Sequence, residues 1–277
     1  VPKYAHTAQV MKIDEEDGTK RKLSKRKDPE AAVSYFVQKG FPKEALIDYL
    51  LTLLNSNFED WRRANPEADA MDFPFNLKKM SSSGCLFDLQ KLTDVSKNVI
   101  SRMPAEAVYD RTLQWAREFS LSFANTLSAD PDYARAILNV DREVPKPRKD
   151  LTKWEEVPDY VSYFYNDPVS SSLALPEKFT KEEADRILRA YREVYDPADD
   201  KDAWFSRMKE ICPTLGYASE VKEYKKNPDA YRGHVGDIST VVRVAVTGRT
   251  NTPDLCTIMQ LLGKDRVMSR IQAFIER

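Results

Sequence analysis

Six of the eight residues from Lys20 to Lys27 are basic. Lysine ammonium groups are adaptable point charges, and on a flexible loop they could stabilise the negative charge that builds on a departing phosphate or pyrophosphate. The same run is also typical of a basic surface loop or a targeting patch. On residue types alone, both interpretations stay open.

Two later regions carry further cations. They are Arg142, Lys146, Arg148 and Lys149 in the first, and Arg243, Arg249, Arg266 and Arg270 in the second. The first set is also typical of a solvated interdomain linker, and arginines on helices are often solvated or ion-paired. Affinity for a polyanion depends on the face presented to the phosphates, so a net charge of −1 lowers the expectation of nucleic-acid binding without removing it.

Composition excludes several other classes of site. Cys85, Cys212 and Cys256 are few and far apart, and His6 and His234 stand at unrelated spacings. These residues predict neither a disulfide framework nor a zinc site, so we expect no metal site and a reducing compartment, the cytosol. No apolar run approaches the ~20 residues that cross a bilayer. The 277 residues are 42% hydrophobic, which predicts two or three domains with cores of their own.

Prolines and glycines divide the chain into helices. Asp28-Pro29-Glu30 has the order of an N-cap, a first-turn proline and a first-turn acid, and Gly40 stands where the following apolar spacing ends. Residues 56–86 break any helical period and predict a long irregular connection. The run Val241–Val246 is typical of a strand by propensity, but Asp237 before it and Gly248 after it favour a helix.

Five separated motifs resemble bacterial-type glutamyl-tRNA synthetases and occur in that family's order. They are Pro2–His6 with Met11-Lys12 and Lys20–Glu30, then Gly40–Leu46, Phe87–Leu92, Arg243–Arg249 and Leu261–Val267. Within the first, Lys22-Leu23-Ser24-Lys25-Arg26 resembles the mobile phosphate-handling loop of class I aminoacyl-tRNA synthetases. Glutaminyl-tRNA synthetases and archaeal-eukaryotic glutamyl enzymes follow a similar loop with β-barrels, whereas everything after residue 100 here reads as helical. The pattern therefore favours the bacterial-type family.

The resemblance implies a mainly α fold of consecutive helical bundles. A stem-contact domain would be followed by an α-helical anticodon-binding cage, after a short irregular or β remnant of the catalytic domain. The expected boundaries are 1–27 for the end of the catalytic domain with its loop, 28–102 for the stem-contact domain, and 103–165 and 166–277 for two anticodon-binding subdomains.

The resemblance also assigns roles within the basic loop. Lys25 matches the ATP-contacting position and Lys22 supports it, so both would stabilise the phosphates during catalysis. Leu23 would be the buried anchor of the loop, while Ser24 and Arg26 shape or extend it. The first of the two later basic regions would contact tRNA, because the resemblance places it near the anticodon. The four arginines of the second region are also candidates to face RNA.

By the same resemblance, we expect the C-terminal portion of a longer ligase that joins glutamate to tRNA through an adenylate. The longer enzyme would use ATP and Mg²⁺, whereas this portion alone would bind neither strongly and would not activate glutamate. The expected partner is tRNA(Glu), and tRNA(Gln) as well in a non-discriminating enzyme; we expect a cytoplasmic monomer that binds no DNA or membrane. A helical scaffold whose basic loop docks an acidic partner is the alternative.

Overall fold

A computed structural model describes residues 4, 6–14, 16–80, 85–168 and 175–277. The Pro2–His6 motif therefore lies in part outside the described residues. The chain divides into two compact units, the first formed by residues 1–131 with 144–159 and the second by 132–143 with 160–277. The described residues are mainly helical, which confirms the predicted fold class, and within them no β-strand follows residue 86. The finer boundaries after residues 27, 102 and 165 stay predictions.

The first unit begins with a small sheet and continues as helices. Its strands are β1 Val10–Ile13, β2 Lys20–Lys22 and β3 Cys85–Leu86, in the order β2-β1-β3. β1 is antiparallel to β2, with Lys12 opposite Arg21, and parallel to β3. The helices are α1 Val33–Lys39, α2 Lys43–Leu54, α3 Phe58–Ala64, α4 Leu89–Arg102, α5 Ala105–Phe119 and α6 Leu121–Ala129.

The core of the first unit is rich in aromatic side chains. Phe36, Phe41, Tyr49 and Leu92 are buried together, so α1, α2 and α4 share one apolar cluster. Burying an apolar side chain of this size contributes roughly 1.5–3 kcal/mol. Phe87 joins the sheet to this cluster, because it directly follows β3 and its ring lies edge-on to Tyr49 at 5.6 Å.

Gly40 ends α1, as the sequence predicts, and no other residue fits there. Its backbone is left-handed, with φ of 77°. A Cβ at this position would lie 2.8 Å from the Cβ of Trp154, whose N–H donates to the Gly40 carbonyl at 2.9 Å. Both the backbone conformation and the close packing therefore require glycine.

Two local predictions in this unit are wrong in part. Asp28, Pro29 and Glu30 take the predicted N-cap, first-turn proline and first-turn acid positions, but of a separate 3₁₀ turn, Pro29–Ala31. The Asp28 side chain makes no capping hydrogen bond, and α1 begins only at Val33. The stretch 56–86 is not irregular throughout, because α3 occupies Phe58–Ala64. A seven-residue helix anchored by one buried aromatic, Phe58, is too short to show a helical period in the sequence.

The second unit is a helical bundle. Two helices, α7 Pro131–Asn139 and α8 Val157–Tyr160, lie where the chain passes from one unit to the other. The remaining helices are α9 Ser162–Tyr165, α10 Lys181–Val194, α11 Lys201–Glu210, α12 Cys212–Leu215, α13 Val221–Lys226, α14 Val235–Thr247, α15 Leu255–Leu262 and α16 Lys264–Ile275.

Helix α14 is the buried centre of this bundle and contacts α10, α11 and α16. It contains the run Val241–Val246, so the predicted helix is confirmed, and Gly248 ends it with φ of 75°. The helix begins earlier than predicted, because His234 is its N-cap and Asp237 lies inside the first turn. The Nδ1 atom of His234 accepts the N–H of Gly236 at 3.0 Å, and the Asp237 carboxylate accepts the N–H of His234 at 3.0 Å. These reciprocal bonds form a capping box.

Candidate functional site

The basic loop leaves the sheet at the end of β2. The N–H of Leu23 donates to the carbonyl of Val10 at 3.0 Å, which extends the pairing of β2 with β1 by one residue. The Ser24 carbonyl then accepts the N–H groups of Lys27 at 3.0 Å and Asp28 at 2.8 Å, so residues 24–27 form a tight turn. Leu23 and Ser24 are half-buried. Strand pairing on one side and a closed turn on the other therefore position the loop.

Arg21 differs from the other five basic residues of the run. Its guanidinium donates twice to the Asp28 carboxylate, with both distances 2.7 Å, and its Nε donates to Asp14 at 2.6 Å. The hydrogen bonds from Arg21 hold the pKa of Asp28 well below its ordinary value. Those from Asp28 and Asp14 raise the pKa of Arg21. Arg21 is thus committed to the internal structure of the loop.

Lys22, Lys25, Arg26 and Lys27 are exposed. Within the described residues, none of these four forms an ion pair or a side-chain hydrogen bond. Four cations on a short turn with no internal acceptor can meet the oxygens of a phosphate. This arrangement fits the chemistry that the sequence predicts for Lys22 and Lys25.

The first of the two later basic regions contains residues in different states. Lys146 is exposed and forms no ion pair with a described residue, whereas Arg148 pairs with Asp150 at 2.6 Å. Lys149 is exposed, and its Nζ donates to the side-chain oxygen of Asn98 at 2.7 Å. All of these residues belong to the first unit. Of these three cations, Lys146 alone is exposed and has no side-chain partner among the described residues.

Arg142 belongs to the second unit, where its Nε donates to the carbonyl of Leu138 at 2.8 Å at the end of α7. Arg243 projects from α14, and its Nη1 donates to the Pro253 carbonyl at 2.9 Å and to the side chain of Thr252. Both arginines are half-buried and hold a neighbouring chain segment. Both side chains are used to bind backbone carbonyls of their own unit, and their contact with RNA stays a prediction.

The remaining arginines converge on α9. Arg249 donates to the Ser162 hydroxyl at 3.2 Å and lies 5.5 Å from the centre of the Tyr163 ring. Arg266 donates to the Phe164 carbonyl at 2.5 Å. Arg249 and Arg266, which are 17 positions apart in the sequence, therefore both contact α9, a helix of four residues.

Arg270 is the buried member of this cluster, with 6% of its surface exposed. It donates to the backbone carbonyls of Tyr163, Asn166 and Val246 at 2.7, 3.0 and 2.7 Å, and to Asp167 at 3.0 Å. Burial lowers the pKa of Arg270, while hydrogen bonds from Arg266 and Arg270 lower that of Asp167. The donors of Arg270 are used inside the second unit, which makes its role in this structure architectural.

Asp28 is a part of the site that the sequence pattern does not indicate. Its only signal was its position next to Pro29, which is typical of an N-cap. Opposite charges at positions 21 and 28 are common in any charged segment, so this pairing has no distinctive spacing. The pairing depends on the turn that brings the two residues together.

Within the described residues, no group of three or more His, Cys, Asp or Glu side chains could hold a metal ion. In the same part of the chain, no helix combines the length and apolarity that a membrane span requires. Cys85, Cys212 and Cys256 are free thiols and all three are buried.

The chain is similar to known proteins over almost its whole length. A protein-family model described as an anticodon binding domain matches residues 229–275. A glutamate–tRNA ligase of Acetivibrio thermocellus is 49% identical over 99% of this chain and 50% of its own length. One of Sorangium cellulosum is 41% identical, with 98% of this chain and 50% of that protein covered. This chain thus spans about half the length of the curated relatives that it matches.

Solved structures share the fold at lower identity. A glutamate-tRNA synthetase from Elizabethkingia anophelis has a TM-score of 0.68 at 17% identity, covering 100% of this chain and 52% of that one. A glutamate tRNA ligase from Elizabethkingia meningosepticum, solved with its amino acid, has a TM-score of 0.63 at 18% identity over 100% and 52% of the two chains.

Proposed function

We propose that this chain, which belongs to the glutamate–tRNA ligase family, binds tRNA as the anticodon-binding C-terminal half of such a ligase. The match of residues 229–275 to an anticodon binding domain carries the proposal. That stretch includes α14, α15 and α16, the buried centre of the second unit and the helices after it. The similarity extends over the rest of the chain to relatives of twice its length.

Binding is proposed to be led by phosphate contacts. Exposed cations such as Lys146 and Lys149 would meet the RNA backbone, and side chains of the second unit would contact unstacked anticodon bases. Arg142, Arg148, Arg243, Arg249 and Arg266 remain proposed contacts whose side chains are already held by neighbours. Arg270 would act indirectly, by supporting α9.

For the longer protein, we propose ligation of glutamate to tRNA(Glu) with ATP and Mg²⁺, in the cytoplasm and as a monomer. Attack of the glutamate carboxylate on the α-phosphate of ATP builds negative charge on the departing pyrophosphate. Lys25, with Lys22 beside it, would stabilise that charge as it develops. Their exposure and lack of an internal acceptor within the described residues support this role. This chain by itself is proposed to bind tRNA without activating glutamate.

The test measures binding of a fluorescently labelled tRNA(Glu) transcript to the chain. Fluorescence anisotropy reports the affinity at a series of salt concentrations. We expect affinity to fall linearly on a log–log plot, with a slope of about 0.7 for each phosphate contacted. A DNA duplex of similar charge serves as the control and should bind more weakly. Absence of tRNA binding at moderate salt would favour the scaffold alternative, and affinity independent of salt would contradict phosphate-led binding.

A further inference from the structure

A single buried carboxylate closes the base of the basic loop. Asp28 is 1% exposed and accepts two hydrogen bonds from Arg21, each of 2.7 Å. It accepts a third from the backbone N–H of Ser24 at 2.8 Å. Arg21 precedes the loop and Asp28 follows it, so this one side chain connects the two ends of the turn to each other and to the loop backbone.

Hydrogen bonds from Arg21 favour the ionised form of this carboxylate and outweigh its burial, which opposes ionisation. Besides Arg21 and the Ser24 N–H, the ammonium group of Lys12 lies 3.7 Å away and also pairs with Glu30 at 2.5 Å. Hydrogen bonds to the charged form lower the pKa of a carboxyl group, and those from Arg21 have the largest effect here. Asp28 thus remains charged over the whole neutral pH range.

The exposed cations of the loop need such an anchor. Lys22, Lys25, Arg26 and Lys27 repel one another and have no acceptor among the described residues. Without the hydrogen bonds of Asp28, a loop with this charge would sample many conformations. Mutual repulsion would hold its cationic groups apart in most of them. Asp28 compensates the one cation that points inward and leaves the other four free.

We propose that Asp28 is a positioning residue, which holds the Lys22–Lys27 turn in one conformation so that its cations face a phosphate together. This inference rests on the proposed role of the loop in binding ATP phosphates. Asp28 is not itself placed against the substrate. Its effect would pass through the Ser24 backbone and the Arg21 side chain.

The first test measures order in the loop, using amide hydrogen exchange by NMR on this chain. Asp28→Asn removes the charge and should raise the exchange rate of the Ser24 amide by roughly tenfold or more. Asp14→Asn is the matched control, because it removes only the other partner of Arg21 and should leave that rate unchanged. Amides of α2 report whether each variant stays folded.

A second variant, Arg21→Lys, tests the same contact if Asp28→Asn does not fold. Arg21→Lys keeps the positive charge but loses the two-point bond to Asp28, so it should also speed exchange at Ser24. Unchanged Ser24 exchange in the folded variants Asp28→Asn and Arg21→Lys would overturn the proposal.

The second test measures ATP–pyrophosphate exchange in a full-length ligase that contains this sequence. Asp28→Asn should lower kcat by roughly 10- to 100-fold through misplacement of the lysines, with KM for glutamate unchanged. Asp28→Glu, which restores the charge, should recover part of the loss. If Asp28→Asn has a normal kcat while Lys25→Ala slows ATP–pyrophosphate exchange, the positioning role of Asp28 is rejected. The proposed role of the loop in binding ATP phosphates would then still stand. If the Ser24 amide exchanges faster in Asp28→Asn but Lys25→Ala has a normal rate of ATP–pyrophosphate exchange, the proposed role of the loop in binding ATP phosphates is rejected instead.

Discussion

The basic loop and the arginine cluster around α9 use positive charge in opposite ways. In the basic run, five of six cations are exposed with no side-chain partner in the described chain, and only Arg21 is held by carboxylates. In the cluster, Arg249, Arg266 and Arg270 donate to α9 and the residues just after it. The difference follows from the acceptors that folding brings near, because the Phe164 and Tyr163 carbonyls in the last turn of α9 accept from arginines, whereas the side chains of the exposed loop cations have no described acceptor. Charge in a sequence therefore indicates function only after its internal acceptors are known.

The largest effect that we expect is on stability, at Arg270. Arg270→Met keeps the aliphatic part of the side chain but leaves three backbone carbonyls without their donor. Unsatisfied buried acceptors cost about 1–3 kcal/mol each, so we expect a loss of about 3 kcal/mol or more, measured by urea unfolding of the chain. Arg266→Met, at a more exposed position, should cost about 1 kcal/mol. Equal losses in the two variants would contradict an architectural role specific to Arg270.

The next effect concerns catalysis at Lys25. In a full-length ligase, Lys25→Ala should slow ATP–pyrophosphate exchange by ~10²-fold or more, because the charge that develops on the pyrophosphate would lose one of its proposed counter-charges. Glutamate binding should change little. Lys20→Ala is the control, since Lys20 is also exposed but lies on β2 before the loop. An unaltered exchange rate in Lys25→Ala would refute the proposed role.

A smaller effect should separate free from paired cations in RNA binding. Lys146→Ala should reduce the salt slope of tRNA binding by about 0.7, the value for one phosphate contact. Arg148→Ala, which removes a residue already paired with Asp150, should change the slope less. The opposite order would show that ion pairing within the chain does not limit contact with RNA.

The smallest effect is a difference in acid titration between the two regions. The pKa of Asp28 and that of Asp167 are both lowered by hydrogen bonds from arginine, and Asp28 is the more strongly affected. A lowered folded-state pKa contributes stability above the unfolded value of about 4, which is lost as the pH falls through the folded value. Carboxyl ¹³C NMR should therefore show Asp167 protonating first on acidification. Protonation of Asp28 before Asp167 would contradict the tighter hold on Asp28.

Much of the fold follows from local sequence signals. Gly40 and Gly248 end their helices because each needs a left-handed backbone, and this preference is a property of the residue itself. The run Val241–Val246 forms a helix despite its strand propensity, because the residues around it define a helical segment. The helix α3 was missed because seven residues with one buried anchor carry too little periodicity.

The candidate site was only partly predictable. The sequence indicates the basic run, because six cations within eight residues are visible without any structure. Its phosphate chemistry is implied only by the family resemblance and stays a prediction. Which of the later arginines are accessible was not predictable, because Arg266 and Arg270 look alike in sequence and differ only in what packs over them.

Capping, periodicity and charge are local properties, so the amino-acid order alone predicts a helical chain and the place of a concentrated positive charge. Which cations are free and which are bound depends on contacts between residues that folding brings together. Hydrogen bonding of a guanidinium depends on carbonyls and carboxylates brought near by folding, as Asp28 is to Arg21 and as α9 is to Arg270.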